Sequence, residues 1–304
     1  VIYLESFEQE YLYNDYLSKY TEFLKEISRE NEFHFNLKQL EHANYTTAGI
    51  FTTMCGLPLN LYVTNKNALR RKDNNKIVCI PNILKKSNYR QVFIGGAIGK
   101  LFYKKDLFSM FEFDEFYEKD SILTTYNNEL KLSKWGIYDK DMFDFAKKKY
   151  IELSKSKQPF NLTLLTLATH NMDGVHDDRC KNSDKIELAN GIECTDDLLR
   201  DFVEFLEKQP NFKDTIIIIL PDHIQYNENS LKKIISDKNK RMLYTILLNS
   251  NNKKSHNNDI IYNLDIKTNA KFMYSNKGQD VKTRLELIKR YNGMTKMFLN
   301  KILW

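Results

Sequence analysis

The chain has 304 residues, 42% of them hydrophobic and 13% aromatic, including 18 Tyr and 19 Phe. That length and content allow a sizeable buried core and exclude a disordered chain. The 46 Lys and Arg outnumber 40 Asp and Glu for a net charge of +6. This excess is diffuse and comes without any nucleic-acid reader motif, so it reads as a solvated face or an attraction to an anionic membrane surface, with no nucleic-acid partner.

Residues 1–5 begin with the apolar run Val1-Ile2-Tyr3-Leu4, a core strand that ends in Glu5. The chain starts inside this strand and shows no signal peptide, so an N-terminal membrane region is expected upstream. Apolar residues at helical spacing over 11–27 predict a helix covering the sheet. Tyr45-Thr46-Thr47-Ala48-Gly49-Ile50-Phe51 reads as a turn entering a helix, and the basic, polar stretch 66–76 as an exposed loop. Further strands are expected at 91–95, 161–168, 215–220 and 241–248, and helices at 139–153 and 195–206. Thr195 with Asp196 and Asp197 makes a reasonable start for the last of these helices. Strands alternating with helices argue for a layered α/β fold. The polar break at 249–258 separates a main domain, 1–257, from a C-terminal elaboration, 258–304, which ends in a basic amphipathic stretch over 281–304 and is expected to pack on the same domain.

Four residues carry the chemistry. Glu5 ends one apolar run and Asp222-His223 ends another, and ligands of α/β sheets bind beyond the carboxyl ends of strands. Buried charges are costly unless paired or metal-bound, so a strand ending in two ligand-type residues points to a metal site ahead of a salt-bridged or surface pair. Glu5 alone reads equally as a ligand or a satisfied structural carboxylate. Thr46 in isolation could be an ordinary helix N-cap. Its neighbours Ala48 and Gly49 are small enough to let a phosphate or metal approach the backbone, and a metal lowers the pKa of a threonine hydroxyl that is otherwise a poor nucleophile. His170 follows another apolar strand and could stabilise a transferred phosphate or protonate a leaving group; a hydrogen-bonded loop histidine is the plain alternative. His34, His42, His176 and His256 lack such context and read as structural or surface residues. Cys55, Cys79, Cys180 and Cys194 form two sequence-local couples without a Cys-x-x-Cys motif, a count that fits disulfides or core thiols and disfavours a zinc knuckle.

Taken in order, Leu4-Glu5-Ser6, Tyr45-Thr46-Thr47-Ala48-Gly49, Cys55-Gly56-Leu57-Pro58-Leu59, Phe93-Ile94-Gly95-Gly96-Ala97, Lys105-Asp106, Trp135-Gly136-Ile137-Tyr138-Asp139, Leu167-Ala168-Thr169-His170 and Asp222-His223 resemble the alkaline-phosphatase/sulfatase superfamily. Within it the closest resemblance is to the membrane-anchored phosphoglycerol transferases of periplasmic glucan modification and, more distantly, to lipoteichoic acid synthases. The resemblance runs from Val1 to about Leu248. It implies a three-layer α/β/α sandwich with a mostly parallel central sheet. It also implies metal ligands Glu5, Thr46, Asp222 and His223, with Thr46 the nucleophile and His170 contacting the substrate phosphate. Lys105 would bind the phosphate with Tyr103 as a nearby aromatic at the substrate, and Trp135 and Asp139 would be site-wall or support residues. Disulfides Cys55–Cys79 and Cys180–Cys194 and an oxidising periplasm follow from the same resemblance.

Pro221 stands where the family has serine and Ile224 where it often has glycine, which leaves both ligands in place. The Cys/Ser-x-Pro-x-Arg context that sulfatases need is absent around Thr46, and the extra ligands of a two-zinc phosphatase are not evident. One divalent ion is therefore expected, Mn(2+) before Zn(2+) or Mg(2+). The activity implied is a two-step transfer of sn-glycerol phosphate from phosphatidylglycerol, through phospho-Thr46, to a periplasmic or surface glycan. The chain would be a monomeric catalytic domain on the periplasmic face of the bacterial inner membrane. The rival readings are a phosphoethanolamine transferase acting on lipid A or another glycan, a phosphodiester hydrolase, and a non-catalytic glycan-binding module.

Overall fold

The computed structural model describes residues 1–40, 43–57, 59, 77–98, 103–170, 174–175, 177–225, 234–235, 241–250, 256–257 and 261–262. The expected loop at 66–76 and amphipathic stretch at 281–304 lie outside these residues, as does 258–304 apart from 261–262.

The strands are β1 (Ile2–Leu4), β2 (Glu32–Lys38), β3 (Arg90–Gly95), β4 (Glu115–Tyr117), β5 (Phe160–Leu165), β6 (Ile217–Pro221), β7 (Leu243–Leu248), β8 (His256–Asn257) and β9 (Ile261–Tyr262). They join one sheet in the order β4-β3-β5-β1-β6-β7-β2-β8, with β9 also on β2. All pairings are parallel except those of β7 with β6 and β2. The helices are α1 (Glu10–Tyr13), α2 (Glu22–Glu30), α3 (Thr46–Cys55), α4 (Ile80–Lys86), α5 (Lys104–Met110), α6 (Lys119–Thr125), α7 (Asp139–Ser154) and α8 (Glu187–Glu207).

The strands alternate between two cores, which is why the central ones read as continuous apolar runs rather than as apolar-polar alternation. Ile2 and Leu4 of β1, Val92 and Ile94 of β3, Leu164 of β5, and Ile217 and Ile219 of β6 join a core with side chains of α2, α7 and α8. Tyr3, Phe93, Leu165, Ile218 and Leu220 face the opposite way, into a core with α3, α4 and α5. Helices thus cover both faces, giving the expected three-layer α/β/α arrangement. No described helix is long and apolar enough to cross a membrane.

Three expectations change. The helix expected over 11–27 is α1, a single 3₁₀ turn at Ser18–Tyr20, and α2. Asn14 breaks it: its carboxamide oxygen accepts from the backbone of Tyr16 and Leu17 in place of a helical carbonyl. The helix expected to start at Thr195 starts at Glu187. Thr195 is buried mid-helix with its hydroxyl on Gly191 O. Asp196 does cap a helix, but a different one, since its two oxygens accept from Phe23 N at 2.8 Å and Leu24 N at 2.9 Å in the first turn of α2. Strand β2 was not expected, although Phe33, Phe35 and Leu37 alternate with Glu32, His34 and Asn36. Its register shifts between His34 and Leu37, where Asn36 takes a positive φ of 59°.

Asp196→Ala should therefore lower stability by about 1–2 kcal/mol in denaturant unfolding, the usual cost of a lost helix cap. Asp197→Ala, which removes only an exposed pair with Lys181, should cost at most about 1 kcal/mol. Equal effects from the two substitutions would refute the capping role.

Candidate active site

Parallel register brings the carboxylates together. Tyr3 pairs with Leu220 and Leu4 with Pro221, so the next residues, Glu5 and Asp222, leave the carboxyl edge of the sheet side by side. The chain turns sharply at Ser6, whose φ is 51°. That turn aims Ser6 N at Asp222 Oδ1, 2.8 Å away, and lets the Ser6 hydroxyl donate to Glu5 Oε1, also at 2.8 Å. The neighbouring strand steadies the backbone of Glu5, with Glu5 N donating to Thr166 Oγ1 at 3.0 Å and the Thr169 hydroxyl donating to Glu5 O.

Asp222 is fully buried. Its Oδ1 accepts two backbone N–H groups, from Ser6 at 2.8 Å and His223 at 2.7 Å, while the buried Oδ2 has no hydrogen-bond partner. His223 Nδ1 lies 2.8 Å from Ile224 O. A carbonyl can only accept, so Nδ1 carries the proton and Nε2 is the ligand-type nitrogen. Nε2 stands 3.5 Å from Glu5 Oε1 and 3.5 Å from Asp222 Oδ2. Two ligands about 2.1 Å from a shared ion at a tetrahedral angle are about 3.4 Å apart. One atom from each of Glu5, Asp222 and His223 falls within 4.8 Å of the others, and all three residues are buried. The residues present therefore fit a divalent cation, and the orphaned Asp222 Oδ2 is the oxygen such an ion would satisfy.

The titration tendencies reflect this crowding. Burial, then the charge of Glu5, pushes Asp222 up to about 7. Burial lowers His223, but Asp222 and Glu5 outweigh it and raise the imidazole to about 9. Burial would also raise Glu5, yet His170 and His223 hold it well below the usual carboxylate range.

Thr46 is the first residue of α3, following Tyr45, which adopts the extended cap conformation. Its hydroxyl donates to Glu5 Oε2 at 3.2 Å. The approach of α3 to the end of β6 requires Gly49, because a Cβ there would sit 1.9 Å from Asp222 O. At the other end of α3, Cys55 is bonded to Cys79. Cys180 and Cys194 form the second disulfide, so both pairings occur as the resemblance implied.

His170 joins the cluster, with Nδ1 3.8 Å from Glu5 Oε1 and the Trp135 ring 4.7 Å from its own. Burial lowers its pKa against the pull of Glu5. Asp139 holds the strand end that precedes it, accepting Leu167 N at 2.7 Å and Ala168 N at 2.8 Å. Burial pushes this carboxyl up to about 7.

Glu5, Thr46 and His170 line one cavity, and among the described residues the ammonium group beside them is that of Lys104. Tyr103, with a φ of 58°, turns the chain into α5 so that Lys104 is buried, while Tyr103 and Lys105 are exposed. Burial lowers the pKa of Lys104, partly offset by Glu5, Asp222 and Glu118. Lys105 does not line the cavity. The resemblance pointed to Lys105, and the structure puts its neighbour Lys104 on the cavity instead; consecutive helical side chains project about 100° apart, and the turn at Tyr103 sets which of the two points inward.

The sequence profile of the sulfatase family matches residues 1–284. Phosphoglycerol transferase I from Salmonella paratyphi B is 30% identical over 254 residues, 81% of this chain and 33% of that protein. The chain thus spans about a third of the length of the curated relative it matches. A protein in the alkaline phosphatase superfamily from Vibrio parahaemolyticus has a TM-score of 0.69 at 20% identity, covering 87% of this chain and 62% of that one. The lipoteichoic acid synthase LtaP from Listeria monocytogenes has a TM-score of 0.70 at 15% identity, covering 87% and 68%. At those identities the structural likeness speaks for the fold.

The cluster makes a direct prediction about cation binding. In equilibrium dialysis the chain should retain one Mn(2+), and Asp222→Asn should weaken that binding at least tenfold. Unchanged affinity in Asp222→Asn would remove the cluster as the metal site.

Proposed function

This chain belongs to the sulfatase family, and we propose that it is the catalytic unit of a phosphoglycerol transferase. The observation that carries the proposal is the Thr46 hydroxyl, set at the head of α3 and bonded to Glu5 within the Glu5/Asp222/His223 cluster. A non-catalytic binding module has no use for a hydroxyl so placed. The name of the Salmonella relative supports phosphoglycerol as the transferred group. Phosphatidylglycerol is the donor in this reading and a glycan hydroxyl the acceptor. The two disulfides support an oxidising, extracytoplasmic compartment such as the periplasm.

The superfamily is generally dependent on a divalent metal. An ion held by Glu5, Asp222, His223 and the Thr46 hydroxyl would supply Lewis-acid charge that makes this hydroxyl acidic enough to react. Thr46 Oγ1 attacks the phosphorus of the lipid phosphodiester, forming an Oγ1–P bond as the bond from phosphorus to the diacylglycerol oxygen breaks. His170 carries the threonine proton to that departing oxygen. In the second half a glycan hydroxyl attacks phospho-Thr46, and its proton returns through His170 to Thr46. Lys104 stands at the cavity wall, where its ammonium group stabilises the anionic phosphoryl oxygens. Asp139 and Trp135 act on His170 rather than on the phosphate, one through the preceding backbone and the other through its ring.

Incubation with phosphatidylglycerol and Mn(2+) should add a glycerol-phosphate-sized mass to the intact protein, located on Thr46 and lost in Thr46→Ala. A gain with phosphatidylethanolamine alone would keep the mechanism and replace the donor, whereas full turnover in Thr46→Ala would sink the nucleophile. Lys104→Met should lower kcat/KM by about 10²–10³ and Lys105→Met by less than about threefold. The reverse order would return the phosphate-binding role to Lys105.

A further inference from the structure

Large hydrophobic side chains exposed among the described residues are Tyr13, Tyr103, Leu132 and Ile151. Two of them flank the cavity that holds Thr46. Tyr103, 39% exposed, immediately precedes Lys104, which lines the cavity. Leu132, 42% exposed, belongs to a loop that a β-bridge from Leu132 to Ile137 closes on itself. The loop is fastened to the cavity wall at two points, a bridge from Gly136 to cavity-lining Ala97 and the contact of the Trp135 ring with cavity-lining His170.

Two lysines of this rim stand without an acidic partner among the described residues. Lys105 and Lys134 are exposed, with no ion pair or hydrogen bond among the described residues. Lys134 is close enough for its charge to act on His170. Lys131 of the same loop neutralises Asp178 at 2.5 Å, which leaves Glu129 as the loop's other acid. Exposed apolar tips set among free lysines are the pattern of a surface that rests on a bilayer: the tips enter the headgroup boundary while the ammonium groups meet lipid phosphates.

We infer that Tyr103, Leu132, Lys105 and Lys134 form a docking rim for an anionic lipid bilayer. This rests on the proposed function, in which the donor is a membrane lipid. The rim then explains how a donor whose acyl chains stay in the membrane presents its phosphodiester to Lys104 and Thr46. The donor would enter from the β3–β5 side of the site, leaving the side toward β7 and β2 for the acceptor.

Vesicle flotation tests the rim separately from catalysis. The 304-residue chain is floated with vesicles of phosphatidylglycerol and phosphatidylcholine, or of phosphatidylcholine alone. It should float with the anionic vesicles, with partitioning reduced about fivefold in Leu132→Ser and also about fivefold in Lys134→Glu. Adduct formation from a short-chain, water-soluble phosphatidylglycerol should be unchanged in Leu132→Ser. Flotation that is equal in wild type and both variants would overturn the rim, as would no flotation of wild type, which would give these residues to a protein partner instead. Failure of the soluble donor to label Thr46 in wild type would count against the proposed function, whatever the vesicles show.

Discussion

Two carboxylates are buried where two parallel strands end. Glu5 and Asp222 follow the paired residues Leu4 and Pro221, and the register that builds the sheet leaves them no freedom to separate. Their candidate ligand atoms lie within 4.8 Å, where two like charges repel by at least about 3 kcal/mol at an effective dielectric near 20. One imidazole faces them both, and one carboxylate oxygen has no partner. A divalent ion held there would convert that repulsion into attraction and complete the orphaned oxygen, so the same register that crowds the carboxylates would also specify the proposed site.

The surrounding structure holds this arrangement from several directions. Thr166 and Thr169 grip the backbone of Glu5 from the end of β5, and Ser6 ties Glu5 to Asp222. Gly49 allows α3 to press against Asp222 O, which places Thr46 on Glu5. Asp139, reaching from the start of α7, fixes the turn that carries His170. The candidate catalytic groups therefore hang from strand ends and helix starts rather than from long loops, and placement of that kind suits a reaction governed by orientation and electrostatics.

Much of this was legible in the sequence because the central strands are buried on both faces. Continuous apolar runs ending in Glu5, His170 and Asp222-His223 mark both the strands and the edge where ligands gather. What escaped was set by contacts distant in sequence or by a single backbone torsion. Asp196 looks like the cap of its own helix and serves α2, more than 170 residues away in the chain. Lys104 and Lys105 are indistinguishable until the positive φ of Tyr103 turns one inward. Strand β2 hides behind polar alternation and a bulge at Asn36, because it lies toward the edge of the sheet, where only part of its surface is buried.

The central claim is that Glu5, Asp222, His223 and the Thr46 hydroxyl enclose one divalent ion. A crystal of the chain grown with Mn(2+), with anomalous diffraction recorded above the manganese edge, tests it most directly. The account predicts a single strong peak bounded by these four side chains, with Asp222 Oδ2 among its ligands. A peak bound elsewhere, or none in this cluster at saturating Mn(2+), would contradict it.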